Sequence, residues 1–537
     1  MKNKKMSRRS FASFFSKTAI GSTVLGNTLL ETIINGRIAE AQAQGNTPMN
    51  YIHCQIPRAA IAHNCNLFLN PYNDNNFVGN PMIGTRFQGG GNFYSEFEYT
   101  TVEYKGVRCP HIWSANVPNA AGGTRPMNQV LDNTFHICGV NSENPAHPMA
   151  FVNRYLPPGS KQSIGAIASD KYDSYLPSIQ VGAGGVGFRH VSTRQRGYIS
   201  LNHGNNLFTD LLRPFLVNTP QELLTRKAAI KKEMDDAVKA IVNQGKNDLL
   251  FKKNVIENYQ NSSQLISQGF GDLEAQWDEL YGKYTTLINR AINNTTVAGI
   301  DDLPVGKPVN MRNNNEQAFY QANGQNVGGD DLRSIFGENA RHEAMAANFA
   351  LAEFVLKSGL SRSIALAFEM FDGIDMNGSN NWDHHNVGII ASFYSTFKFH
   401  LCFHTCMLEL QDQLKLANLW NNTLIDVGSE FNRSIRNNGS GSDHLDLGMN
   451  LLLMSGLIEG PYSVGDLRAD RGGGYSGTQG DGVVNPGIGR RYTNRDVQTT
   501  ISTILKCPAE IDAGYNFCKY ENNKLVPNVP LTKIVNT

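Results

Sequence analysis

The chain has no long hydrophobic run, no surplus of charge and no internal repeat. No stretch of the 537 residues reaches the roughly 20 consecutive apolar residues that a bilayer span needs, so no membrane span is expected. Lys and Arg number 48 against 47 Asp and Glu, a net charge of +1. That balance gives no electrostatic reason for a nucleic-acid partner or an anionic membrane surface. The missing repeat excludes solenoids and propellers. One local absence bears on chemistry. MNYIHCQIPRAAIAHNCNLFLNP (49–71) offers His53, Cys54, His63, Asn64 and Cys65, but no Asp, Glu, Ser or Thr occurs between Tyr51 and Asn73.

The first residues read as an address. A basic start leads into Ser7-Arg8-Arg9-Ser10-Phe11, a mildly apolar stretch follows, and Ala41-Gln42-Ala43 ends it as a small-x-small cleavage site. Two adjacent arginines before Phe match the bacterial twin-arginine signal, with an ordinary secretory leader or a basic tail as the plainer alternatives. The expectation is a signal peptide at 1–43, read by the twin-arginine export machinery, and a periplasmic or secreted protein exported already folded. Residues 1–43 hold seven basic and two acidic residues, so the remainder carries 41 basic and 45 acidic residues, a net of −4. All eight cysteines lie beyond this leader. In an oxidising compartment Cys54/Cys65, Cys109/Cys138 and Cys507/Cys518 are candidate disulfides, although connectivity cannot be read from one sequence. Cys402 and Cys406, four apart on an expected helix, suit a reduced buried pair equally well.

Residues 44–218 are rich in Gly, Pro and Asn, with short apolar runs such as NTFHICGV and LPSIQVG, the texture of strands between long loops. Gly182-Ala-Gly-Gly-Val-Gly187 has the outline of a dinucleotide loop, but FRHVSTRQRG after it lacks a helical period. A plain loop and no nucleotide cofactor are expected. Thr219-Pro220-Gln221-Glu222 is a capping box, and apolar spacings to 241 and again from 273 to 291 predict a helical insertion over 219–293. From 294 to 510 the pattern alternates. A helix at 338–357 precedes the strand SRSIALAFEM, a helix at 391–420 precedes TLIDVGS, and NLLLMSG follows. That order predicts an α/β fold with a mostly parallel central sheet and helices on its faces, and 511–537 as a C-terminal tail.

Two acid/imidazole groups fall just after successive strands: Trp382-Asp383-His384-His385 and Glu430 with Asp443-His444. Ligands bind beyond the carboxyl ends of strands in such sheets. Carboxylates and neutral imidazoles are donors for divalent ions. Asp383, His385, Glu430, Asp443 and His444 are therefore candidate metal residues, with zinc, manganese or calcium as candidate ions. Asp443 is either a ligand or the carboxylate that orients a histidine. Caps and turn formers are the bland alternative. Arg433 suits bidentate binding of a phosphate or sulfate, or is a plain turn arginine. His400 and His404, i and i+4 on a helix, have a spacing that can bind metal, against ordinary packing. The Gly-rich run 471–491 reads as a surface loop.

Trp382-Asp383-His384-His385, then Ser429-Glu430-Phe431-Asn432-Arg433, then Gly441-Ser442-Asp443-His444 resemble, in order, the motifs of the "domain of unknown function 1501" family. LLLMSGLIEGPYSVGDLRAD and the Arg495-Asp496 helix start continue the likeness, which covers about 340–505. The resemblance implies an alkaline phosphatase/sulfatase-like fold with a divalent metal, and implies that His147 joins the pocket. It also implies hydrolysis of a small anionic phosphate or sulfate ester. That superfamily uses an acid ligand and a hydroxyl nucleophile after its first strand, and 49–71 supplies neither. A catalytically altered protein that binds an unknown partner on the same fold is the alternative expectation.

Overall fold

In the computed structural model the described residues are 48–57, 85–87, 97–99, 101–157, 160, 162–172, 174, 178–182, 198–201, 207–212, 270–295, 297, 342–369, 382–385, 389–435, 442–465, 467–468, 481–482, 484–485, 487–507 and 514–531. The leader at 1–43, the glycines at 183–187, most of the helical insertion (219–269) and most of the Gly-rich run lie outside them. The chain divides into two compact units. One comprises residues 1–48, 206–280 and 358–360, and the other residues 49–205, 281–357 and 361–537. In the first, Phe208 stacks on Trp277 with ring centroids 5.4 Å apart.

The second unit is built on an eight-stranded sheet. Its strands are β1 (Asn50–Gln55), β2 (Thr134–Val140), β3 (Ser178–Val181), β4 (Tyr198–Leu201), β5 (Ser363–Ala367), β6 (Thr423–Gly428), β7 (Met449–Met454) and β8 (Tyr462–Val464). They lie in the order β4-β3-β5-β1-β6-β7-β2-β8. All pairings are parallel except those of β7, which runs against both β6 and β2. The expected α/β architecture with a mostly parallel sheet is therefore present, as a mixed sheet. Strand β7 reverses because residues 429–448, which carry a small strand pair of their own, bring the chain back beside β6 with no crossover helix among the described residues. β1, β5, β6 and β7 are buried along their whole length. Sheets covered on both faces require that, and it explains their near-continuous apolar runs.

The helices are α1 (His147–Tyr155), α2 (Ile164–Lys171), α3 (Leu207–Leu212), α4 (Phe270–Asn294), α5 (Glu343–Lys357), α6 (Ile389–Leu416) and α7 (Asn494–Ile504). Val497, Ile501 and Ile504 of α7 and Ala168 of α2 pack into one cluster with Tyr51, Phe135, Ile137, Leu424, Leu451 and Leu453 from the strands. α5 and α6 meet at Phe349 and Phe403, and Phe368, just beyond β5, packs on both rings. The second apolar pattern of the expected insertion is α4, which runs from one residue set into the other. The stretch read as a C-terminal tail contains the hairpin Cys518–Glu521/Lys524–Pro527 and contributes Phe517, Leu525 and Val529 to the main core.

The expected disulfides Cys109/Cys138 and Cys507/Cys518 are absent: Cys109, Cys507 and Cys518 are free thiols, and so are Cys402 and Cys406. Cys54 is also free, and Cys65 lies outside the described residues. Each of these free thiols is buried. Burial opposes the thiolate that disulfide exchange requires, and pushes Cys507 up to about 11 and Cys518 up to about 12.

A candidate metal centre at the strand ends

Three segments that leave the carboxyl ends of parallel strands meet here. The loop after β2 delivers His147 as the first residue of α1, with Pro148 in the first turn where a proline costs no hydrogen bond. The segment after β5 delivers Asp383 and His385. Its anchor is Trp382, fully buried, whose Nε1 donates to the Phe368 carbonyl at 2.9 Å. The chain after β6 delivers Glu430 and then a hairpin, Asn432–Ile435 against Ser442–Leu445, with Arg433 opposite His444. The polar stretch expected as a loop is thus a strand pair. Its Ser442 Oγ and N–H both donate to the His384 carbonyl, at 2.9 and 3.1 Å, and so tie the hairpin to the Trp382 segment.

Two imidazoles are held by their Nδ1 atoms. His147 Nδ1 lies 2.8 Å from Glu430 Oε1, and Glu430 Oε2 also accepts from Ser429 Oγ at 2.9 Å. His444 Nδ1 lies 2.6 Å from the Pro145 carbonyl. Since a carbonyl or carboxylate oxygen accepts, Nδ1 carries the proton in each neutral ring and Nε2 presents its lone pair. The His147 Nε2 is buried with no hydrogen-bond partner among the described residues. It lies 3.9 Å from Asp383 Oδ1, a charge contact rather than a hydrogen bond. Ligand atoms of His147, Asp383 and His444 all lie within 4.8 Å of one another. His385 Nε2 points at the same place, 2.9 Å from His444 Nε2 and 3.3 Å from Asp383 Oδ1. Its Nδ1 is 3.6 Å from Asp443 Oδ1. Phe431 closes the floor against the rings of His147 and His444, at 4.8 and 4.5 Å.

The charges act on one another. Burial favours a neutral Asp383, but His147, the Arg433 guanidinium and His385 outweigh it and hold the carboxyl well below its usual range. Burial favours a neutral His147, but the Asp383 and Glu430 carboxylates outweigh it and raise that ring above its ordinary value. Burial, then the charge of Arg433, lowers His385 and brings His444 down to about 4. Arg433 is itself fully buried, and its Nη2 donates to Asp383 Oδ1 while Nη1 donates to Ser442 Oγ at 3.4 Å.

Seven of the residues singled out in the sequence therefore lie in one cluster, Asp383, His385, Glu430, Asp443, His444, Arg433 and His147, while His400 and His404 lie apart on α6. Glu430 faces a histidine edge, and Arg433 is engaged with a carboxylate. The Pro145 carbonyl and the Ser442 tether were not anticipated, because main-chain groups leave no trace in composition. Nor was a second polar network below the site. Asp426 of β6 accepts from Arg154 Nη2 at 2.6 Å, and its Oδ2 lies 3.0 Å from His53 Nδ1 and 3.1 Å from the Tyr51 hydroxyl. Its sequence signal was available: an Asp inside the apolar run TLIDVG and a His inside NYIHCQ, in register across β1 and β6.

Fold and site define an α/β protein with a cluster of carboxylates and imidazoles at the carboxyl ends of its strands. Residues 322–473, a stretch holding six of the seven cluster residues but less than half of the chain, match the family model described as "Protein of unknown function (DUF1501)". No curated protein matches. One solved structure with some likeness is described as "Crystal structure of Ps i-CgsB in complex with k-i-k-neocarrahexaose". It is 10% identical and covers 87% of this chain and 75% of that chain, at a TM-score of 0.27. A likeness that slight transfers no activity.

Proposed function

We propose that His147, Asp383 and His444 hold a divalent cation in an exported, periplasmic or secreted protein of alkaline phosphatase/sulfatase-like fold that hydrolyses phosphate or sulfate esters. The observation that carries the reading is the His147 Nε2: buried, without a hydrogen-bond partner among the described residues, and turned by Glu430 toward an ionised carboxylate and a second imidazole. Two nitrogens and one oxygen suit zinc or manganese, whereas calcium takes oxygen ligands almost throughout. When bound, such an ion would polarise the ester oxygen and ease ionisation of a water.

This chain's own residues do the rest. Glu430 and the Pro145 carbonyl fix the two imidazoles in the tautomer that leaves Nε2 open, the arrangement by which a neighbouring acceptor orients a ligating histidine. Arg433 keeps Asp383 ionised. His385, half-buried beside Asp383 and Asp443 and disfavoured from protonation by burial and Arg433, would be the base that takes a proton from water. Arg433 serves its carboxylate first, so the substrate's anion is held mainly by the cation in this reading.

A second reading keeps the fold and drops the chemistry: a binding protein for an unidentified partner. It is favoured by the first strand, which ends on Gln55 in a stretch without Asp, Glu, Ser or Thr between Tyr51 and Asn73. Elemental analysis of the folded, exported protein beside Asp383→Ala/His444→Ala tests the proposal. Near-stoichiometric zinc or manganese that the variant loses, with ester hydrolysis lost alongside, supports the hydrolase. Metal without hydrolysis selects the binding protein, and a folded protein that takes up no divalent metal overturns the centre itself.

A further inference from the structure

Helix α6 carries a second set of metal-competent side chains, independent of the strand-end cluster. His400, His404 and Met407 follow i, i+4, i+7 and so share one face of the helix. All three are buried, with His404 and Met407 at 0% exposure. The two imidazole rings lie 5.3 Å apart and nearly parallel, at 22°. All four of their ring nitrogens are buried with no hydrogen-bond partner among the described residues. Each buried polar atom left without a partner is destabilising, so two such rings are an expensive way to fill a helix interface that Leu could fill. Burial keeps both rings neutral, lowering His400 to about 3, and neutral imidazoles offer lone pairs. The Trp113 ring lies 4.6 Å from His404.

The surroundings select the kind of ligand. Among the described residues no carboxylate or thiol joins the pair within ligand reach, since the one such three-member group is at the strand ends. The cost of burying an ion rises with the square of its charge, so a site with no anionic donor admits a monocation far more easily than a dication. The thioether is a soft donor, imidazole is a borderline donor that copper accepts, and an aromatic face adds attraction for a cation. We propose that His400, His404 and Met407 form a buried site for a soft monovalent cation, copper(I), covered by the ring of Trp113.

The test is an anaerobic titration of the whole exported protein with copper(I) against the chromophoric competitor bicinchoninate. The expected result is one equivalent bound, with affinity unchanged in Asp383→Ala and in Cys402→Ala/Cys406→Ala. It should weaken at least about a hundredfold in His404→Phe and at least about tenfold in Met407→Leu, since loss of a direct donor costs no less than the roughly 10–100-fold seen for loss of groups that merely support one. Met407→Leu conserves volume and keeps the test decisive if His404→Phe does not fold. Copper-edge X-ray absorption of the loaded wild type should show imidazole nitrogens with a single sulfur. The proposal is overturned by no uptake, by uptake that Met407→Leu and His404→Phe leave unchanged, by loss of binding in the cysteine variant, or by a sulfur-only shell.

Discussion

Asp426 offers the sharpest test of what holds the sheet under the site. Its carboxylate has no exposure and serves three groups: the Arg154 guanidinium at 2.6 Å, His53 Nδ1 at 3.0 Å and the Tyr51 hydroxyl at 3.1 Å. Arg154 is equally buried, and its Nε and Nη1 have no hydrogen-bond partner among the described residues, so Asp426 is its main compensation. Asp426→Ala leaves a guanidinium buried without its counter-charge, which costs about 3–5 kcal/mol, and Arg154→Met strands the carboxylate at a similar cost. The double variant Arg154→Met/Asp426→Leu removes both charges and fills both volumes. Because desolvation of the pair nearly cancels its attraction, the double should lie within about 3 kcal/mol of wild type, well short of the sum of the singles. Urea unfolding at neutral pH, followed by tryptophan fluorescence, measures each member of the cycle. Additive single costs would refute the reasoning, because they would mean that the two charges are stabilised separately.

Other outcomes follow from single positions. His136 is fully buried and burial lowers it to about 3, so it stays neutral in the fold while an unfolded histidine gains a proton below about 6.5. Stability should therefore fall with acid between those values by about 1.4 kcal/mol per pH unit, and His136→Gln should flatten the slope by that amount; an unchanged slope would count against it. Gly465 has φ +78°, and a Cβ there would sit 2.1 Å from the Cys138 carbonyl oxygen, so Gly465→Ala should cost more than about 1 kcal/mol in urea. The raised pKa of His147 depends in part on Glu430, so Glu430→Gln should lower that titration in a histidine-resolved NMR experiment, and no movement would show that the pair does not interact.

The parts of the molecule visible in the sequence are those fixed by local pattern. The strands IALA and TLIDVG and helices α5 and α6 show in apolar runs and periods, because their burial is written residue by residue. The antiparallel sense of β7 does not show, since NLLLMSG reads the same in either direction and only the path of residues 429–448 decides it. The hairpin they carry was hidden in a polar stretch whose Gly, Ser and Asn favour turns, and its second strand is tied to the His384 carbonyl through Ser442. The site residues were legible as residue types. Their pairings were not: nothing in the spelling of Glu430 or Arg433 says that one faces His147 and the other Asp383.

Charge balance joins those pairings to the metal proposal. Around one point the fold gathers, among the described residues, three carboxylates, Asp383, Glu430 and Asp443, against a single permanent cation, Arg433, and Glu430 is nearly inaccessible to water. With neutral histidines the cluster carries a net of −2. A proton on His147 relieves one of those charges, which is the physical reason its affinity for a proton rises, whereas burial and then Arg433 lower His444 and His385. A divalent cation would relieve both, and would also give the His147 Nε2 the partner it lacks. Binding should then release the proton from His147 and cost nothing at His444, which is already neutral above about pH 4. Zinc titration in two buffers of different ionisation enthalpy measures that release directly. A fraction of a proton rising toward one as the pH falls through the His147 titration is the expected signature, and a pH-independent release of none would disconnect the raised histidine from the metal.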